Sequence, residues 1–141
     1  MINLGGFCPL FDPFYYEDVE VSLQALLRGW DILFVPGSRV KHEHGSSTCR
    51  RRLQFSVIPL RNYHFLHWLL LDSPDLWRAY WREERVRLSV WPFRGRVRYA
   101  LTFFWAATRW RSVRRWRNER ARGVSRSVSD ALRAYAPAEG M

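Results

Sequence analysis

The stretch from Asp18 to His44 places the strongest constraint on what this chain can fold into. Apolar residues Val19, Leu23, Leu26 and Leu27 fall at i, i+4, i+7 and i+8, which is one stripe of a helix, and Gly29 supplies a C-terminal stop. The pattern then changes period at once. "DILFV" is a β-branched and aromatic run ended by Pro36-Gly37, which reads as a strand and a turn. "RVKHEH" reads as a second extended segment, with Val40, His42 and His44 on one strand face and Lys41 and Glu43 on the other. A helix followed by two short strands predicts an α/β arrangement for the front of the chain.

Helical signals dominate after "GSSTCRRR". "LRNYHFLHWLL" stops before "DSPD", where Ser73 is placed as an N-cap and Pro74 as the first helical residue of the next segment. Leu76, Trp77, Tyr80 and Trp81 then recur at helical spacing, and residues 96–120 read as one long amphipathic helix rich in Arg. A short helix near "SDALRAY" closes the chain. The longest apolar runs, "HFLHWLLL" and "YALTFFWAA", are well short of the roughly 20 residues a membrane-spanning helix needs.

Charge divides the chain in the same place. Residues 1–45 carry three basic and six acidic side chains, whereas residues 46–141 carry twenty and seven. The basic part fits a phosphate-bearing partner: nucleic acid, anionic lipid or a nucleotide diphosphate. Arg outnumbers Lys 22 to 1, a ratio that GC-rich coding produces without selection for a ligand, so specific nucleic-acid binding is not expected. Cys8 and Cys49 stand alone in a chain with no hydrophobic signal sequence, which predicts reduced thiols and a cytoplasmic setting.

Two residue groups could carry chemistry. Glu17 and Asp18 open the first helix, where acidic side chains ordinarily serve the unpaired amides and the positive end of the helix dipole. An ionised carboxylate at such a place can also act as general base toward a hydroxyl. His42 and His44, with Glu43 and Cys49 near in sequence, have the side chains of a metal site, but lack the paired spacing of a closed zinc site. A single histidine acting with carboxylates from elsewhere on a hard divalent ion fits better.

Taken in order, "GGF", "YYEDVE", a helix closed by Gly-Trp, a run closing on Val-Pro, and "VKHEHGSS" resemble the C-terminal half of family 2 glycosyltransferases. These have the GT-A fold and include bacterial rhamnosyl- and galactofuranosyltransferase-like enzymes. The resemblance extends to "RNYHFLHWLLLDSPD", which is similar to the family's Arg-Asn-x-x-x-x-x-Trp helix, and weakens over residues 96–135. It implies a partial GT-A catalytic domain over residues 1–50 and a helical extension over 51–141.

The resemblance further implies inverting, metal-assisted transfer of a sugar from a nucleotide-diphosphate donor to a glycan or lipid-linked acceptor. Asp18 matches the family base and Glu17 its acidic neighbour, which binds acceptor or orients the base. His42 matches the family ligand for Mg or Mn, Gly5 and Gly6 match a substrate-facing loop, and Tyr15 and Tyr16 flank the base. Such enzymes also carry a nucleotide-binding half with an Asp-x-Asp motif, and no Asp-x-Asp occurs here. The expectation is therefore a fragment, inactive alone, cytoplasmic or peripheral at the inner face of the cell membrane.

Overall fold

The computed structural model describes residues 4–41 and 54–135, and it is helical over 70% with no strand among those residues. A 3-10 turn at Pro9–Phe11 precedes α1 (Glu17–Leu27), α2 (Gln54–Leu70), α3 (Pro74–Val90), α4 (Phe93–Thr108), α5 (Trp110–Ala121) and α6 (Val128–Tyr135). The α/β GT-A architecture expected above is thereby corrected to an all-helical one. Residues 32–35 have strand-like side chains but no pairing strand among the described residues, and the run lies open to solvent, with Phe34 89% exposed. β-propensity describes side chains that fit a half-buried sheet and cannot substitute for the ladder that forms one. Of the second expected strand, residues 40 and 41 are irregular, and 42–44 lie outside the described residues.

The helix stop at Gly29 is well formed. Gly29 adopts φ 78°, its N–H donates to Leu26 O at 2.9 Å, and Trp30 N–H reaches Ala25 O at 3.0 Å. These are the two bonds of a Schellman cap, which needs a residue at positive φ. The buried face of α1 is rotated from the apolar stripe. Val19 is exposed, while Glu20 and Gln24 are buried together with Leu26 and Leu27.

Helix α2 lies at the centre, buried on nearly every side through Leu60, Asn62, His64, Phe65, Trp68 and Leu69. It packs on α4, α5 and the 3-10 turn, and a helix enclosed in this way carries apolar residues all round. Ser73 caps α3, its Oγ accepting from Leu76 N at 3.3 Å, with Pro74 in the first turn as the sequence predicts. The single long helix expected over 96–120 is instead broken at Arg109 into α4 and α5. The break lets Tyr99, Thr102 and Ala106 of α4 and Val113 and Arg120 of α5 all become buried. Asp72, in the turn after α2, accepts from Val128 N at 2.8 Å, and Ser127 and Asp130 exchange bonds of 2.6 and 3.0 Å, fixing the start of α6.

Two buried polar groups pin this arrangement. Glu20 meets Arg120 of α5 at 3.3 Å, an ion pair that lacks the alignment of a hydrogen bond. Burial pushes the Glu20 carboxyl up, against the pull of Arg120 and then Arg28. Arg28, at the end of α1, donates to Gln24 Oε1 at 2.6 Å, to Arg120 O at 3.0 Å and to Arg122 O at 2.9 Å. On the opposite side of the core, His64 Nδ1 lies 2.8 Å from the Tyr80 hydroxyl among the rings of Trp68, Tyr99 and Phe103. Burial, then His67 and Arg87, push the His64 imidazole down to about 3.

Removing one partner of a buried ion pair strands the other charge, so Arg120→Met should cost about 3–5 kcal/mol in urea unfolding. The double variant Arg120→Met/Glu20→Leu should recover the share due to the stranded Glu20 carboxylate, while the bonds from Arg120 to Leu4 O and Gly6 O stay lost. Additive losses would show that the two side chains do not act as a pair. The histidine predicts a second signature, because the folded state keeps His64 neutral to about pH 3 while the unfolded chain protonates near 6.5. Stability present above pH 6.5 is therefore lost on acidification, by up to about 1.4 kcal/mol per pH unit. His67, also pushed down chiefly by burial, acts in the same direction, whereas the raised Glu20 carboxyl acts in the opposite one. Both cancel when wild type is compared with His64→Phe. The urea midpoint should fall more steeply between pH 7 and pH 5 in wild type than in the variant; equal slopes would refute a neutral buried His64.

Candidate functional site

The loop before α1 delivers Tyr15, Tyr16, Glu17 and Asp18. It is anchored at one end by Cys8, Leu10 and Phe11, all buried in the core. The Asp12–Pro13 peptide is cis, and Tyr15 and Tyr16 follow with φ of 74° and 75°. Two consecutive non-glycine residues in the left-handed region cost about 1–2 kcal/mol each and persist only where their surroundings hold them.

The surroundings are supplied by α2. The side-chain amide of Asn62, fully buried, donates to the carbonyls of Phe11 at 2.9 Å, Phe14 at 2.8 Å and Tyr15 at 3.1 Å. Its Oδ1 accepts from Arg61 Nε at 2.9 Å, and Arg61 Nη2 in turn donates to Leu10 O and Asp12 O. Adjacent residues of one helix thus satisfy five carbonyls of the loop, as buried backbone acceptors require. Arg61 is itself clamped, with its guanidinium 4.5 Å from the Trp105 ring centre and 5.3 Å from that of Phe65.

The acidic pair emerges in the first turn of α1. The N-cap position belongs to Tyr16, which makes no side-chain capping bond, and its carbonyl accepts from Glu20 N at 2.8 Å. Asp18 is exposed, and its Oδ1 accepts from Val19 N at 2.8 Å. Glu17 is half-buried, and its Oε2 has no hydrogen-bond partner. Tyr15 is exposed and stands edge-on to Phe14, with ring centres 5.0 Å apart. Tyr16 packs against the core.

Gly5 and Gly6 both adopt positive φ, 75° and 73°. Arg120 holds this turn by donating to Leu4 O and, at 2.7 Å, to Gly6 O. The glycine turn is therefore tied to the first turn of α1 through Arg120 and Glu20, and Tyr15–Asp18 leads directly into the same turn. Cys8, between the two, is free and buried, and burial pushes its thiol up to about 11, which leaves it unreactive near neutral pH.

A recess of about 340 Å³ adjoins the loop, lined by Asp12, Arg61, Phe65, Arg109, Ser112 and Arg115 among others. Three guanidiniums against one carboxylate give it a cationic character. No single run of sequence marks it, because its arginines come from α2, from the α4–α5 break and from α5. Asn62 stood out in the sequence only as part of the Arg-Asn-x-x-x-x-x-Trp motif and Arg120 not at all, because each acts on loop carbonyls, which any residue supplies. His42, with His44, Glu43 and Cys49, lies outside the described residues. Among the described residues no cluster of three or more His, Cys, Asp or Glu side chains forms a metal-binding group.

The chain matches no protein-family model, no curated protein and no solved structure.

Loss of the Asn62 amide leaves three loop carbonyls without their donor. Asn62→Ala should cost about 2–4 kcal/mol and should accelerate amide exchange over residues 14–20 before it does so in α4 or α5. Unchanged exchange there would mean that the left-handed tyrosines are held by something other than α2.

Proposed function

We propose that this chain carries the acceptor side of a glycosyl-transfer site, with Asp18 as general base. The observation that carries the reading is the cost of presenting Tyr15–Asp18: two tyrosines held at positive φ by a fully buried asparagine. Strain maintained in this way is typical of segments whose geometry matters to function. The order of motifs along the sequence supplies the reaction class.

In this proposal the acceptor sugar lies against Tyr15, whose exposed ring offers a flat apolar face to a pyranose or furanose. Glu17, half-buried beside the base, accepts hydrogen bonds from acceptor hydroxyls. Asp18 removes the proton from the attacking hydroxyl. The bond that Val19 N–H donates to Oδ1 fixes this carboxylate and leaves a second oxygen to take the proton. The acceptor oxygen then bonds to the anomeric carbon of the donor, the bond from that carbon to phosphate oxygen breaks, and the nucleoside diphosphate departs with inverted configuration at the sugar. Glu17 sits beside the base rather than across from it, so the leaving group must be held elsewhere, by the donor-binding half that the proposal requires.

Saccharide binding tests the acceptor side without the donor. Glycan and lipid-linked saccharide acceptors should shift the backbone resonances of Tyr15, Tyr16, Glu17 and Asp18, and Glu17→Gln should weaken that binding. A broad panel that leaves these resonances unmoved would remove the acceptor site. The chain alone should turn over no nucleotide sugar. Joined to a donor-binding half, Asp18→Asn should lower kcat by about 10²–10⁴ with acceptor KM nearly unchanged, the usual contribution of a general base. Near-normal turnover would take Asp18 out of the mechanism.

A further inference from the structure

Helix α4 is unusual in having two apolar faces. One is the face toward α2, with Tyr99, Thr102 and Ala106 buried. The other is turned to solvent and consists of Phe93, Val97, Leu101 and Phe104, at i, i+4, i+8 and i+11, all exposed. Phe93 is 79% exposed, Leu101 67% and Phe104 68%. Side chains of this size in one stripe are not the scattered apolar residues of an ordinary surface. Val90, at the end of α3, is also exposed beside the turn into α4.

The charges on α4 itself have one sign. From Arg85 to Asn118 the sequence contains ten arginines and no Asp or Glu. At 100° per residue, Arg94 and Arg98 flank one side of the stripe and Arg96 the other. Arg96 is engaged with the end of α3, donating to Trp91 O at 2.9 Å and Ser89 O at 3.1 Å. Arg94 and Arg98, both exposed, line a recess of about 310 Å³ with Trp91, Pro92 and Gly95. That recess would accept a phosphodiester headgroup beside the apolar stripe.

We infer that the outer face of α4 docks this protein on an anionic lipid bilayer, with Phe93, Leu101 and Phe104 inserted among the acyl chains and Arg94 and Arg98 on the headgroup phosphates. The helix lies in the interface plane. No helix among the described residues is long and apolar enough to cross a membrane, and α4 carries three arginines in 16 residues. A hydrophobic face bordered by arginines and free of acidic residues is the composition of an interfacial helix. It suits a second copy of the chain poorly, because self-pairing through this face would set arginine against arginine.

The test uses the full chain and sedimentation with two vesicle types, phosphatidylcholine alone and phosphatidylcholine with about one third phosphatidylglycerol. Partition should favour the anionic vesicles by on the order of tenfold or more, and that preference should shrink as salt rises. Leu101→Glu/Phe104→Glu should abolish pelleting with both vesicle types while leaving the thermal transition in place, since neither side chain is in the core. Arg94→Gln/Arg98→Gln should reduce the anionic preference by on the order of tenfold or more, given about 1 kcal/mol per arginine at the surface. Equal partition to both vesicles, or undiminished pelleting of the Leu101→Glu/Phe104→Glu variant, would overturn the assignment. So would light scattering that shows a dimer dispersed by that same variant, which would give the face to a second copy.

Discussion

The side-chain amide of Asn62 is the contact on which the described geometry of the acidic loop depends. It is buried, sits on the central helix, and binds the carbonyls of three residues in a segment that would otherwise have no reason to keep two tyrosines at positive φ. Because α2 is packed on several sides, its amide is a fixed reference point, and the loop inherits that rigidity. The position of Glu17 and Asp18 is thus set from the core outward rather than by the helix they begin.

The arginines divide into two populations with different physics. Arg28, Arg61, Arg117 and Arg120 act within the fold, each donating to one or more backbone carbonyls that lie far away in sequence. A guanidinium can reach two carbonyls at once from one position, as Arg120 does with Leu4 and Gly6 and Arg28 with residues 120 and 122. An ammonium offers a point charge without that planar fork. Arg94 and Arg98 lie at the surface instead. The 22-to-1 excess of Arg over Lys thus has a partial structural use, whatever its origin in coding.

Local signals were legible in the sequence wherever the determining atoms were neighbours. The cap at Ser73 and the stop at Gly29 depend on contacts within a few residues, and the last helix has its own Ser127–Asp130 cap besides the distant bond to Asp72. The strand expected at 32–35 was not a local question, since its side chains fit a sheet but its backbone lacks a pairing strand among the described residues. The rotation of α1 was equally hidden: Glu20 and Gln24 are buried because Arg120 and Arg28 meet them, and one of those partners lies across the whole chain. Of the site, Glu17 and Asp18 were legible as first-turn acids, while the clamp that presents them was not. The histidine motif lies in the part of the chain that the structure does not describe.

The bond from Arg120 to Leu4 spans 116 residues, and that from Arg28 to Arg120 spans 92. During synthesis the glycine turn and α1 leave the ribosome with Glu20 still waiting for its partner. At translation speeds of about 5–20 residues per second, the interval is on the order of 10 s. Throughout it Glu20 remains hydrated, and the apolar residues beside it have no closed core to enter. The nascent chain therefore presents α1 and the run that follows it long before residue 120 emerges, and native closure at the glycine turn waits for that residue.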